Sequence, residues 1–148
     1  MDTTGLSHIA LCVRDLDASL AFYRDILGGE VILDEIQDTT KGGLPHLYKH
    51  ARRTRRTVHV RYGAAAVLVI TSHPNEPADG EAIGLDQIGL SHVAFVARDL
   101  EGLANDLVAK GVRPAAPLQS YVNSEGRISS ALFYDPDGII IQFDADPL

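Results

Sequence analysis

Two histidines stand in nearly identical settings. His8 lies in Leu6-Ser7-His8-Ile9-Ala10 and His92 in Leu90-Ser91-His92-Val93-Ala94, at a constant offset of 84 residues. Neutral imidazole is a ligand for iron, zinc, nickel and manganese, and two imidazoles with one oxygen donor and open positions form the non-haem Fe(II) arrangement. The bland alternative is a strand histidine kept in a hydrogen-bonded core, which a lone histidine would favour. Two in register favour a shared pocket. Strand alternation puts Ala10 beside His8 and Ala94 beside His92 on one face. These small side chains leave room for a substrate over the imidazoles.

Other residues offer weaker chemistry. His46 and His50 would share a face if they stood on one helix. Arg52, Arg53, Arg55 and Arg56 form a basic run, readable as an anion clamp for a substrate carboxylate or phosphate. The competing reading is a solvated loop, the ordinary fate of a charge run. Tyr121 and Glu125 lie in Ser120-Tyr121-Val122-Asn123-Ser124-Glu125-Gly126, which reads as a flap. They are candidates for acid–base work if it closes, and loop surface otherwise. Tyr62 and Tyr134 read as packing beside strands, and Cys12 as a small hydrophobe. No Gly-rich phosphate loop, serine-hydrolase elbow or Cys-x-x-Cys pair is present.

The elements that position the histidines come in two copies. Residues 6–16 and 90–100 agree at seven of eleven positions, which indicates a duplicated module. Each copy opens as an apolar strand covered on both faces. A helix follows, N-capped by Asp15 or Asp99, with apolar stripes Leu16, Leu20, Tyr23, Leu27 and Leu100, Leu103, Leu107. Gly28 and Gly111 suit the left-handed residue after a helix. Three strands complete each module, at about 30–36, 57–62 and 65–71, then at about 114–117, 128–134 and 139–144. Asp135-Pro136-Asp137-Gly138 reads as a hairpin turn. The class is therefore α+β: two βαβββ modules, about 5–72 and 89–146, joined by a linker over 73–88, with a long connection over 38–56.

Bulk properties bound the function. The net charge of −7 argues against a nucleic-acid footprint. A single cysteine rules out an intrachain disulfide. No apolar run approaches the ~18 residues of a membrane span. The N-terminus lacks the charged and apolar regions of a secretory signal, so a cytoplasmic protein is expected.

The motifs Ser7-His8-Ile9-Ala10, Arg14-Asp15-Leu16 through Leu27-Gly28, Phe133-Tyr134-Asp135-Pro136-Asp137-Gly138 and Ile141-Gln142-Phe143 resemble the vicinal-oxygen-chelate superfamily of glyoxalase I, bleomycin resistance proteins and extradiol dioxygenases. The resemblance covers nearly the whole chain. It implies sheets curled around a cavity, with metal ligands from the first and last strands of each module. The corresponding positions are His8, Leu68, His92 and Gln142. Glyoxalase-type members use all four; extradiol dioxygenases and fosfomycin-modifying enzymes leave the Leu68 position unused. This chain follows the three-ligand pattern, except that Gln142 stands where glutamate is usual. Its neutral amide oxygen predicts weaker binding of a divalent ion such as Fe, Mn, Ni or Zn. The implied functions are a metal-assisted small-molecule enzyme of dioxygenase, lyase or isomerase type, or a non-catalytic antibiotic-binding protein of the bleomycin-resistance kind. A metal-free enzyme using the histidines as acid and base is a third reading. The resemblance also implies a homodimer.

Overall fold

The computed structural model describes residues 3–64 and 66–146. The chain divides into two compact units, Met1–Gly80 and Glu81–Leu148. Each has its own sheet, so the architecture is α+β with sheets of four and three strands.

The first unit runs β1 (Ile9–Cys12), α1 (Leu16–Leu20), β2 (Glu30–Asp38), β3 (Thr54–Tyr62) and β4 (Ala66–Ser72). Its sheet order is β1-β4-β3-β2, with β1 parallel to β4 and the other pairs antiparallel. The first and last strands of the module are thus neighbours. Asp15 caps α1 by accepting from the Asp17 and Ala18 amides at 2.9 and 3.1 Å. The helix does not end at Leu20 but widens into a π-helical turn over Ala21–Ile26. The Leu27 amide reaches back five residues to the Phe22 carbonyl at 3.0 Å. The wider turn sends two consecutive aromatics, Phe22 and Tyr23, into the core. A straight helix would have put them 100° apart, and the stripe read from the sequence included only Tyr23.

Leu11, Leu68, Ile70, Val58 and Val60 are buried with these aromatics in the first unit. Burying each side chain contributes about 1.5–3 kcal/mol. Gly29 allows the helix end to close on β3. A Cβ there would stand 2.3 Å from Val60 Cγ1 and 2.9 Å from the Tyr23 carbonyl. The Tyr62 hydroxyl donates to that carbonyl at 2.6 Å, and burial raises its pKa.

The second unit runs β5 (His92–Val96), α2 (Leu100–Ala109), β6 (Ser130–Tyr134) and β7 (Ile140–Asp144), in sheet order β5-β7-β6. Asp99 caps α2 by accepting from the Gly102 amide at 2.9 Å. Leu100, Ala104 and Leu107 of the helix and Val93, Phe133, Ile141 and Phe143 of the sheet are all buried. The β6–β7 turn is held by Asp135, whose Oδ1 accepts from the Asp137 and Ile139 amides at 2.8 Å each. Gly138 takes φ +86°, as that turn requires.

Three expectations are corrected. The strand expected near 114–117 is only a bridge from Pro114 to Phe133, because a proline there lacks the N–H a ladder needs. The basic run is not all loop: β3 begins at Thr54, so Arg55 and Arg56 are strand residues. His46 closes a single 3-10 turn, Leu44–His46, so His46 and His50 do not share a helical face. Ala65, expected to open β4, lies outside the described residues.

Candidate functional site

Each sheet has one face under its helix and a second, partly open face, where Thr57, Val69 and Ile140 are buried while His8, Ala10, His92 and Ala94 are exposed. The strand registers assign every side chain to one of them. In the second unit, Ala94 pairs with Gln142 and His92 with Ile140. Partners in register share a face. His92, Ala94 and Gln142 therefore come together on the open face, with His92 one row from Gln142. Val93, Phe133, Ile141 and Phe143 take the helix face.

In the first unit, Ala10 pairs with Val69. His8, immediately before β1, continues the alternation onto the same open face and is exposed. Leu68, expected there, is not. It pairs with Ile9, is 4% exposed and packs on the helix side. Val69 holds the row that Gln142 holds in the second unit. A count of one residue along a strand reverses the face, and only the ladder fixes that count.

Both histidines are held alike. Nδ1 of His8 lies 3.0 Å from Ser7 Oγ, and Nδ1 of His92 lies 2.8 Å from Ser91 Oγ. Nε2 of neither ring has a hydrogen-bond partner among the described residues. With Nδ1–H donated to the serine, the Nε2 lone pair is free to bind an ion or accept a proton.

Gln142 is held as well. Its Nε2 donates to both Asp144 carboxylate oxygens, at 3.0 and 2.9 Å. A carboxylate only accepts, so the amide nitrogen must face Asp144. The Gln142 oxygen then points away as a free acceptor. Asp144 also places a negative charge directly behind that neutral donor.

In the second unit His92 and Gln142 offer one imidazole nitrogen and one amide oxygen, and in the first unit His8 offers one imidazole nitrogen; donors of these types suit a borderline divalent ion. Val69 can contribute nothing. Among the described residues, no group of three or more His, Cys, Asp or Glu side chains is arranged to hold a metal. An ion at His92 would depend on Gln142.

Sequence reasoning missed the polar row on the open face of the first sheet. Gln37 Oε1 accepts from Arg55 Nε at 2.8 Å and Thr57 Oγ1 at 3.1 Å, while Gln37 Nε2 donates to Glu35 at 2.6 Å. His59 stands in the Val69 row. Alternation through Thr54–Tyr62 was the available signal. It separates Arg55 from Arg56, which turns to the helix side and pairs with Asp34 and Asp17 at 2.7 Å each. These bonds raise the Arg56 pKa and lower that of Asp34.

Four other expected site residues make contacts of their own. Arg52 and Arg53 line a separate pocket beyond the end of β4. The Tyr121 hydroxyl donates to the Leu132 carbonyl at 3.2 Å, which docks the segment on β6. Glu125 pairs with Arg127 in an exposed turn.

A family model for the Glyoxalase/Bleomycin resistance protein/Dioxygenase superfamily matches residues 5–143. The chain belongs to this superfamily. No curated protein matches it significantly. Solved structures share the fold at low identity. A glyoxalase family protein from Bacillus cereus is 15% identical, with TM-score 0.74 over 97% of this chain and 94% of its own. The trypanothione-dependent glyoxalase I of Leishmania major is 22% identical, with TM-score 0.68 over 96% and 86%. The fosfomycin resistance protein FosX from Mesorhizobium loti is 19% identical, with TM-score 0.63 over 99% and 95%. Among the described residues, no helix is long and apolar enough to cross a membrane.

Proposed function

We propose that the chain is a metal-assisted small-molecule enzyme of dioxygenase, lyase or isomerase type, with His8, His92 and Gln142 as ligands of one divalent ion (Fe, Mn, Ni or Zn). The observation that carries this reading is the matched preparation of the donors. Ser7 and Ser91 engage Nδ1 of each histidine, and Asp144 turns the Gln142 oxygen outward. Partners of this kind set ligand tautomer and orientation, and their loss typically costs 10–100-fold in metal affinity.

A bound ion supplies Lewis acidity toward two neighbouring substrate oxygens. The chain's own residues do the rest. Ala10 and Ala94 leave space over the imidazoles. The Asp144 carboxylate, accepting from the amide N–H, pushes electron density toward the Gln142 oxygen and offsets part of the missing ligand charge. The polar row of Gln37, Arg55 and His59 offers hydrogen bonds to a substrate's polar end. A homodimer in the cytoplasm, acting on a small molecule, completes the proposal.

A second reading rests on Val69 and on the neutrality of Gln142. With no fourth ligand and no ligand carboxylate, the pocket would sequester a small molecule without catalysis, as the bleomycin-resistance branch does. Metal analysis of protein purified without chelator or added metal separates the two. The enzyme reading expects one divalent ion per site, lost in His92→Ala and reduced at least tenfold in affinity in Asp144→Asn. An ion-free protein, unresponsive to Fe(II), Mn(II), Ni(II) and Zn(II), would replace it with the binding reading.

A further inference from the structure

A built pocket lies in the first unit, where β4 ends. Its cavity measures about 420 Å³, and its walls include Thr40, Arg52, Arg53, His73 and Glu76. It is remote from His8. His8 lies at the end of the sheet where β4 begins, and His73 comes six residues beyond the row of His8 along β4. At ~3.3 Å per residue this is roughly 20 Å. His8 and this pocket therefore lie toward opposite ends of the first sheet.

The pocket holds an unsatisfied cation. The Arg52 side chain is only 10% exposed. Its Nη1 is buried and has no hydrogen-bond partner. The nearest carboxylate oxygen, from Glu76, is 3.7 Å away, beyond hydrogen-bond range, on a side chain 66% exposed. A buried donor left without an acceptor is costly, and a charged one more so. Arg53 lines the same cavity and makes no ion pair among the described residues. The walls thus carry two arginines and one loosely placed carboxylate, for a net charge of +1. His73, 5% exposed and bonded through Nδ1 to the Thr54 carbonyl at 3.2 Å, forms a rigid side. Its ring packs edge-on to Tyr48, 5.2 Å away.

We propose that this pocket binds the oxyanion group of a small metabolite, a carboxylate or phosphate, through Arg52 and Arg53. The guanidinium fork presents parallel N–H donors that match two oxygens of one anion. Displacement of Glu76 toward solvent uncovers the buried Arg52 Nη1, and the bound oxyanion then supplies the acceptor it lacks. Cavity size fits a small molecule rather than a bare ion, since ligand pockets usually span ~300–1,000 Å³. Such a site is independent of any metal at the histidines.

The test is an NMR titration of the full-length protein in chelator and low salt. Inorganic phosphate and succinate serve as separate probes for the two oxyanion sources. The proposal expects saturable shifts at Thr40, Arg53, Thr54, Asn75 and Glu76 with at least one probe. The tighter probe identifies the source. Arg53→Ala should weaken binding about tenfold, the loss of one charge-assisted contact, while its thermal midpoint stays at the wild-type value. Glu76→Gln should tighten binding severalfold, because it removes the competing charge. These two exposed positions keep the test free of folding defects that Arg52→Ala could introduce. The double variant His8→Ala/His92→Ala should bind as wild type. Absence of saturation with both probes, or binding indifferent to Arg53→Ala and Glu76→Gln, would overturn the proposal. Loss of binding in the double histidine variant would also overturn it, by assigning the anion to the other site.

Discussion

Replacing Gln142 by glutamate tests the description of the second sheet's open face in two directions at once. The Gln142 nitrogen sits 3.0 and 2.9 Å from the Asp144 oxygens. Gln142→Glu puts an oxygen where that nitrogen is, so a donor–acceptor pair becomes two acceptors. Two unit charges ~3 Å apart repel by about 1.4 kcal/mol in water and about 5.5 kcal/mol at an effective dielectric of 20. Both side chains are only half-buried and can rotate apart. The realised cost should then lie near the lower figure, about 1–2 kcal/mol including the lost hydrogen bond. That is about 3–6 °C in melting temperature for a chain of this size. The sign with pH follows from proton sharing. At about pH 4 the carboxyl pair retains a proton in the folded state, so the variant matches wild type. As pH rises toward 7 the proton leaves and the deficit develops. A divalent ion should reverse the order, because a carboxylate offsets its charge where an amide does not. Thermal melts of both proteins at pH 4.5 and 7.5, in chelator and then with Mn(II), give all four numbers. A variant as stable as wild type in chelator at pH 7.5 would refute the claim that Asp144 holds the Gln142 amide.

Two further outcomes follow from the face assignments. Leu68→Ala should destabilise the protein by about 2–5 kcal/mol in denaturant unfolding, the usual cost of a cavity under a helix. Ligand or metal affinity should be unchanged; a loss confined to binding would return Leu68 to the open face. Arg56→Ala should cost about 0.5–1 kcal/mol at pH 7, since its partners Asp34 and Asp17 are 41% and 82% exposed and largely screened. Arg56 lowers the Asp34 pKa, so this contribution is present above the ordinary aspartate range and lost as pH falls through the lowered value. A wild-type advantage that persisted in acid or in molar salt would contradict the pairing.

The duplication was legible because identity at a fixed offset needs no three-dimensional information. His8 and His92, their capping aspartates and their small neighbours Ala10 and Ala94 all follow from one repeated segment. Alternation then put each histidine on the alanine face. The class, the element order and the Asp135–Gly138 turn rest on local chemistry too: periodicity, carboxylate caps and a glycine at positive φ.

What the sequence left open depends on pairing across space. Leu68 and Val69 are both apolar, and their order in the chain does not say which one faces β1's alanine side. The ladder Ala10↔Val69 decides it. Arg55 and Arg56 look like one basic patch until β3 sends them to opposite faces. Arg52 reads as solvated loop until its side chain is found nine-tenths buried without an acceptor. Asp144 was read as the last residue of a strand and carried no signal that it grips Gln142. Side-chain facing within a strand has period two, and its phase relative to the core is fixed only by hydrogen bonds to neighbouring strands. Composition and local pattern specified which elements form; tertiary pairing decided which residues share a surface.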